Sequence, residues 1–413
     1  MSDAESNPAE QSAAEQVSPA ATTRGRRRGK APRTHVVGKV LLTSLIVLGM
    51  LTGLSVVFIY RHLNDNLTVL DVSSQLENRP DKQDQASDMP QEPLNILVMG
   101  SDSREGEGNN IDGLTGDGAR SDTTILMHLS ADRKQAYGVS IPRDSLVTRP
   151  DCKTEDGETI PGGENEQWNT AFALGGPACT IQQFEQLTGV FVDHFVVVDF
   201  SGFRDMVDAI DGVEVCIPED IEDPEHGINI PAGTREVRGK EALNYVRARY
   251  TLGDGSDIGR IARQQAFIAA MANKVVSGGT LARFDRLVGF LNAATKSLIV
   301  DPGLENVFKI GKAGLSFKNI GLDNIKFVTV PFEYDTREGF EGRVVWLPEA
   351  DDVWQKVADD EPLSRRLSSG AINAGELPGS GSPSDGASPS DGASPNEPDE
   401  DVTAAREAAG LCA

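Results

Sequence analysis

Residues 94–99, an apolar run that reads as a buried strand, lead directly into Gly100-Ser101-Asp102-Ser103-Arg104. A loop with six glycines between 100 and 118 follows, and Arg120-Ser121-Asp122-Thr123-Thr124 then enters a second apolar run. Asp102 and Asp122 therefore stand at the ends of neighbouring strands, where α/β sheets place their ligands. Two carboxylates so placed can converge on one hard cation such as Mg²⁺, leaving its other positions to water and phosphate oxygens. Either aspartate alone would read as a turn or cap residue. The arginines around them change that balance. Arg143, in Ser140-Ile141-Pro142-Arg143-Asp144, is again at a strand end. Arg247 and Arg249, in Tyr245-Val246-Arg247-Ala248-Arg249-Tyr250, point to opposite sides of a helix but to the same side of an extended segment. A helix running from Lys240 is thus expected to fray by Arg247, so that both guanidinium groups reach one site. Arg260 and Gln264, one helical turn apart, lie beside an apolar stripe of Ile261, Ile268, Met271 and Val275. Guanidinium groups match phosphate oxygens in pairs, so the cluster points to a polyanionic phosphate ligand. A single arginine of the set would default to a surface ion pair.

Positioning these residues needs a sheet with helices on it. Apolar runs at 94–99, 123–129, 136–141, 195–198 and 327–330 read as buried strands; 180–188, 201–210, 240–248, 260–276 and 304–313 read as helices. The alternation predicts an α/β fold, a single α-β-α sandwich domain with a central mixed sheet, preceded by one transmembrane helix.

That helix is residues 40–60, 21 residues without a charge, long enough to span roughly 30 Å of hydrocarbon. A cleaved signal peptide would have a shorter apolar region and a small-residue cleavage site, whereas this run ends in Phe58-Ile59-Tyr60-Arg61. Seven basic residues against four acidic ones in 1–39 predict a cytoplasmic N-terminus and an extracytoplasmic body. The formal net charge of the whole chain is −24, which excludes a mainly nucleic-acid-binding protein. No CxxC pair and no HxxxH or HxH array is present, so a zinc ribbon or a His-built metal centre is not expected. By composition the chain divides into a disordered basic tail (1–39), the membrane helix (40–60), a polar, Pro-punctuated stalk (61–93), a folded domain (94–368), a low-complexity linker (369–402) in which SPSDGA occurs twice, and a short terminal segment (403–413).

Taken in order, GSDSR, RSDTTILMHL, SIPRDSLV, NTAFALGGPAC, DHFVVVDFSGFRDMVDAIDGVEVCIPEDI, GKEALNYVRARYTLGDGSDIGRIARQQAFI and VPFEYDTREGFEGRVVWLP resemble the LytR-CpsA-Psr family of Gram-positive bacteria over about 94–355. The resemblance implies a membrane-anchored phosphotransferase that moves a glycopolymer from a polyprenyl-pyrophosphate carrier onto peptidoglycan, as a phosphodiester to a MurNAc hydroxyl. It implies that Asp102 and Asp122 hold Mg²⁺, with Mn²⁺ as a substitute, and that Arg120, Arg143, Arg247, Arg249, Arg260 and Gln264 line the pyrophosphate site. Arg104 belongs to the first motif. An apolar tunnel for the lipid is also implied, with Phe195, Val197, Phe200, Phe203, Met206 and Ile268 as wall candidates that would serve equally as plain core. A non-catalytic wall module that binds lipid-linked polyanions, and a hydrolase with water as the acceptor, are the competing functions.

Four cysteines allow three pairings, and an oxidising compartment favours bridges. Cys152 and Cys179 are expected to staple the insert 151–167, and Cys216 to bridge to Cys412, docking the C-terminal segment on the folded domain; free thiols at the latter pair are the alternative.

Overall fold

The computed structural model describes residues 36–82, 91–101, 121–223, 228–248, 257–276, 280, 283–376 and 411–412. The chain divides into two units, 1–56 and 57–413. The described part of the first is helix: α1 (Val36–Asp65) begins there, and its apolar side chains from Val37 to Val56 are exposed throughout. By length and composition α1 is long and apolar enough to cross a membrane.

The second unit is built on an eight-stranded mixed sheet. Its strands, in chain order, are β1 (Thr68–Val69), β2 (Leu94–Ser101), β3 (Ser121–Leu129), β4 (Ala136–Ile141), β5 (His194–Asp199), β8 (Leu298–Val300), β9 (Ile325–Thr329) and β10 (Ile372–Asn373); β6 (Val213–Ile217) and β7 (Gly233–Val237) form a separate antiparallel hairpin. Across the sheet the order is β1-β8-β5-β2-β3-β4-β9-β10. The pairs β2–β3, β3–β4, β5–β8 and β9–β10 are antiparallel; β1–β8, β2–β5 and β4–β9 are parallel. Helices α2 (Thr170–Thr188), α3 (Phe200–Ala209), α4 (Gly239–Arg247), α5 (Asp257–Val276), α6 (Phe284–Ser297), α7 (Val307–Ile320) and α8 (Glu349–Ala358) complete the unit.

Strand alternation sends successive side chains to opposite faces. One face carries Leu97, Met99, Leu126, Val139, Phe195 and Val197, all buried, which pack against α2 and α8. There the protein's three tryptophans and Phe184 stack into one cluster: Phe184 meets Trp354 edge-on at 5.5 Å, and Trp346 lies 5.9 Å from Trp168 and 5.8 Å from Trp354. The other face carries Val98, Ile125 and Val198 and looks towards α3, α4 and α5. Gln265 of α5 pins that layer to the sheet, its Nε2 donating to Ser140 Oγ at 2.8 Å and Val328 O at 2.9 Å.

Several boundaries differ from the sequence-based ones. The stalk expected at 61–93 is packed protein as far as residue 82. Leu63 and Val72 are buried, β1 extends the sheet, and the Arg79 guanidinium pairs with Glu185 while lying 3.9 Å over the Phe191 ring. A polar composition hid this because only a few apolar anchors do the docking; 83–90 lie outside the described residues. The linker expected from 369 begins too early, since β10 pairs with Lys326 and Phe327. Helix α2 starts ten residues before its expected position. Gly175 and Gly176 leave helical geometry ahead of Pro177, with Gly176 at φ 60°, and so divide the pattern in two. The helix expected at 304–313 instead starts at Val307, where the Asn306 side chain caps Lys309 N.

Disulfides join Cys152 to Cys179 and Cys216 to Cys412, with Cα–Cα separations of 5.3 and 5.8 Å. The first ties the small hairpin Cys152–Lys153/Thr159–Ile160 to α2, and the second ties residue 412 to β6.

Candidate functional site

A cavity of about 460 Å³ lies between the second sheet face and helices α3 to α5. Its walls are apolar, with Phe200, Phe203 and Met206 from α3 and Phe267, Ile268 and Met271 from α5. Four of the expected wall residues, Phe200, Phe203, Met206 and Ile268, are therefore in place. Phe195 and Val197 are not: both face the tryptophan cluster, and Val198 and Asp199 are the residues of β5 that line the cavity. Correcting the parity also brings in Val98 and Ile125, which sequence reasoning missed.

Polar groups gather at one part of this cavity. Asp122 owes its place to an irregularity. β2 and β3 pair Gly100 with Thr123 and Ser101 with Ser121, so the register skips Asp122. Simple alternation would put Asp122 on the closed face with Thr124 and Leu126; the bulge turns its side chain to the cavity instead. Arg143, just past β4, donates from Nη1 to Asp122 Oδ1 at 2.5 Å, with both side chains largely buried. Its Nε lies 3.4 Å from Asp144 Oδ2. Asp144 also accepts from Arg343 Nη1 and Gln167 Nε2, and its carbonyl receives Val344 N at 3.2 Å. The loop holding Arg143 is thus braced by two hairpins, one through Gln167 and the other through Arg343 and Val344. Neither brace was evident from the motif alone.

Helices supply the remaining groups. Arg260, near the start of α5, is 2% exposed and reaches Asp122 O with Nη2 at 3.4 Å. One turn on, Gln264 accepts from Thr123 Oγ1 at 3.1 Å and donates to Val246 O at 3.2 Å. Arg247 is the last residue of α4. Ala248 has ψ 134°, so the helix stops where the two-residue arginine spacing requires, and Arg247 Cζ sits 4.9 Å over the Phe200 ring. The structure therefore brings Asp122, Arg143, Arg247, Arg260 and Gln264 to one site. Asp102, Arg104, Arg120 and Arg249 lie outside the described residues.

Two more residues belong to this neighbourhood. Arg263 is fully buried and donates through Nη2 to Ala248 O, holding the end of α4 against α5. Asp199, which lines the cavity, caps α3 by accepting from Gly202 N at 2.6 Å. The sequence signal for Asp199 was a strand-ending Asp-Phe-Ser-Gly; for Arg263 there was none beyond its place on α5. Burial pushes the Tyr245 phenol, on α4, up to about 12, with the nearby Arg263 charge acting in the opposite direction. Asp122, an oxygen donor on the cavity, is chemically suited to a hard divalent cation together with ligand phosphate. Among the described residues no cluster of three or more metal-binding side chains occurs.

A model of the LytR_cpsA_psr family matches residues 61–359. The chain belongs to the LytR-CpsA-Psr family. The matched span starts at residue 61, in agreement with the packing of 61–82. Among curated relatives, the chain is 32% identical over 260 residues to cell wall biosynthesis protein LcpA of Corynebacterium glutamicum, covering 57% of this chain and 49% of the relative. It is 34% identical over 230 residues to probable cell wall biosynthesis protein LcpB of the same organism, covering 54% and 52%. The match thus spans about half the length of these relatives. In fold, it is similar to Bacillus subtilis TagT bound to LI-WTA, with TM-score 0.51 and 22% identity over 70% of this chain and 98% of TagT.

Proposed function

We propose that this LytR-CpsA-Psr protein is a membrane-anchored phosphotransferase that moves a cell-wall glycopolymer from a polyprenyl-pyrophosphate carrier to a MurNAc hydroxyl of peptidoglycan. The observation that carries this reading is the joining of one apolar cavity to one cationic rim. Phe203, Met206, Phe267 and Ile268 offer a slot for a hydrocarbon chain, and Arg247, Arg260 and Gln264 stand where a pyrophosphate at its end would lie. Relatives named for cell wall biosynthesis and the capture of TagT with LI-WTA support a wall polymer as the cargo.

In this reading the arginines neutralise charge that builds on the phosphoryl oxygens as the acceptor oxygen attacks the sugar-proximal phosphorus. The bond from that phosphorus to the bridging oxygen breaks, the acceptor proton is lost, and the polyprenyl monophosphate leaves. Arg143 holds Asp122 in place, and Asp144 holds Arg143. Asp122 and Asp102 would hold Mg²⁺, or Mn²⁺ in its stead, which supplies further charge neutralisation at the phosphates. Helix α1 is the anchor, and the basic residues of 1–39 keep the N-terminus cytoplasmic and the body extracytoplasmic.

The test is incubation of the full chain with a lipid-pyrophosphate glycan, Mg²⁺ and a muramyl acceptor. A coupled phosphodiester product supports the transferase. Free sugar phosphate would replace it with a hydrolase, and tight binding with unchanged substrate would replace it with a non-catalytic module that binds lipid-linked polyanions.

A further inference from the structure

Helix α7 buries little of itself: among its fourteen residues Ile320 alone is buried, with Phe317 packed beside it on the β9 side of the sheet. Its outer face is apolar where solvent would normally favour polar groups. Phe308 is 74% exposed and Leu315, two turns on, is 56% exposed. At about 100° per residue the two share one line on the helix, with Lys312 about 40° to one side and Lys318 about 80° to the other. Lys309 is engaged with Glu305 at 3.0 Å, whereas Lys312 and Lys318 have no ion-pair partner among the described residues. No acidic residue occurs in α7, in a chain whose net charge is −24. Gly311, about 60° from Phe308, adds no side chain to this face, and nothing lies within 4 Å of a Cβ placed there.

The position of this helix is fixed by a hydrogen bond. Val307 N, at the first turn of α7, donates to Asn64 Oδ1 at 2.9 Å. Asn64 is four residues past Tyr60, where the uncharged run of α1 ends, or about 6 Å along the helix axis. An exposed Phe and Leu flanked by lysines, tethered that close to the end of a membrane-spanning run, have the pattern of a helix lying in a lipid interface. The structure assigns α7 as a docking face for an anionic lipid surface: Phe308 and Leu315 enter the acyl boundary while Lys312 and Lys318 meet the headgroup phosphates. This assignment rests on reading α1 as the anchor and is independent of the chemistry proposed for the cavity.

Single added tryptophans test it in the full chain, reconstituted into nanodiscs containing phosphatidylglycerol with or without bromine on the acyl chains. Phe308→Trp reports α7, and Leu48→Trp, at a 61% exposed position of α1, reports the anchor. The three native tryptophans, held in the cluster against α2 and α8, contribute the same background to both. The expected result is at least a twofold fall in the added emission at 308 in brominated discs. Adding Lys312→Glu and Lys318→Glu should remove that quenching while Leu48→Trp remains quenched. Quenching at 48 without quenching at 308 overturns the docking face and leaves the anchor standing. Quenching at neither position overturns the anchor and the docking face together, and quenching at 308 that survives both lysine substitutions overturns the anionic partner.

Discussion

The two faces of the central sheet are made by the same strands and differ by one residue of offset. Leu97 and Met99 of β2 point into a filled layer where Trp168, Phe184 and Trp354 interlock; Val98 and Gly100, their immediate neighbours, look into an open space of about 460 Å³. Protein interiors are normally close-packed, and an apolar void forfeits dispersion contacts along its lining. A domain that fills one face and leaves the other hollow has divided stability from binding. The filled side holds the sheet rigid; the hollow side leaves room for a ligand and keeps its cations at the rim.

The largest effect expected from breaking this division is on the filled face. Trp354→Ala should destabilise the protein by about 3–5 kcal/mol in urea unfolding. Ile268→Ala, on the cavity wall, should lose less, about 2 kcal/mol, because part of its side chain already borders empty space. Equal losses at the two sites would erase the distinction. Next comes Asp122→Ala, for which turnover should fall about 10²–10³-fold, the range for removing one transition-state-stabilising group, with the melting temperature little changed. A collapse of the fold in place of the activity would make Asp122 a structural residue. Arg247→Ala should weaken binding of the lipid pyrophosphate by about 1.5–3 kcal/mol and binding of the corresponding monophosphate by less, as read by titration calorimetry.

The smallest effect separates the two layers by pH. The Tyr245 phenol is held at about 12 in the folded protein against 10.0 in its absence, so between those values the folded chain keeps a proton that the unfolded chain has lost. Stability must therefore fall as pH rises from about 10 and level off past about 12, by on the order of 2 kcal/mol. Urea midpoints for Tyr245→Phe should lose that slope. A slope unchanged by the substitution would place the alkaline sensitivity elsewhere.

Strong apolar runs made the central strands legible. Residues 136–141 coincide with β4, and β2, β3, β5 and β9 differ from their expected positions by only one to two residues at an end. That the sheet would be covered by helices was equally accessible from the alternation of the two patterns; the strand order was not. Short or weakly patterned elements were not. The three residues of β8 carry no period to read, and α8 opens on Glu-Ala-Asp-Asp, which gives little apolar signal before Val353 and Trp354. At the site, residue type and spacing sufficed to nominate Asp122, Arg143, Arg247, Arg260 and Gln264. Two features escaped because each depends on register. The bulge that turns Asp122 to the cavity is a property of two strands paired together, and the choice of Val198 over Val197 flips with a one-residue shift. The bracing of Arg143 by Gln167 and Arg343 depends on contacts between segments far apart in the chain.

The bridge between Cys216 and Cys412 has a practical consequence for anyone handling this protein. It makes a covalent ring of everything between those positions, a sequence separation of 196 residues. A protease that cuts once inside the ring, for instance in the Ser-, Pro- and Asp-rich stretch at 382–393, frees no fragment. The nicked molecule would keep its size on a gel until a reductant is added, and only then separate into two pieces.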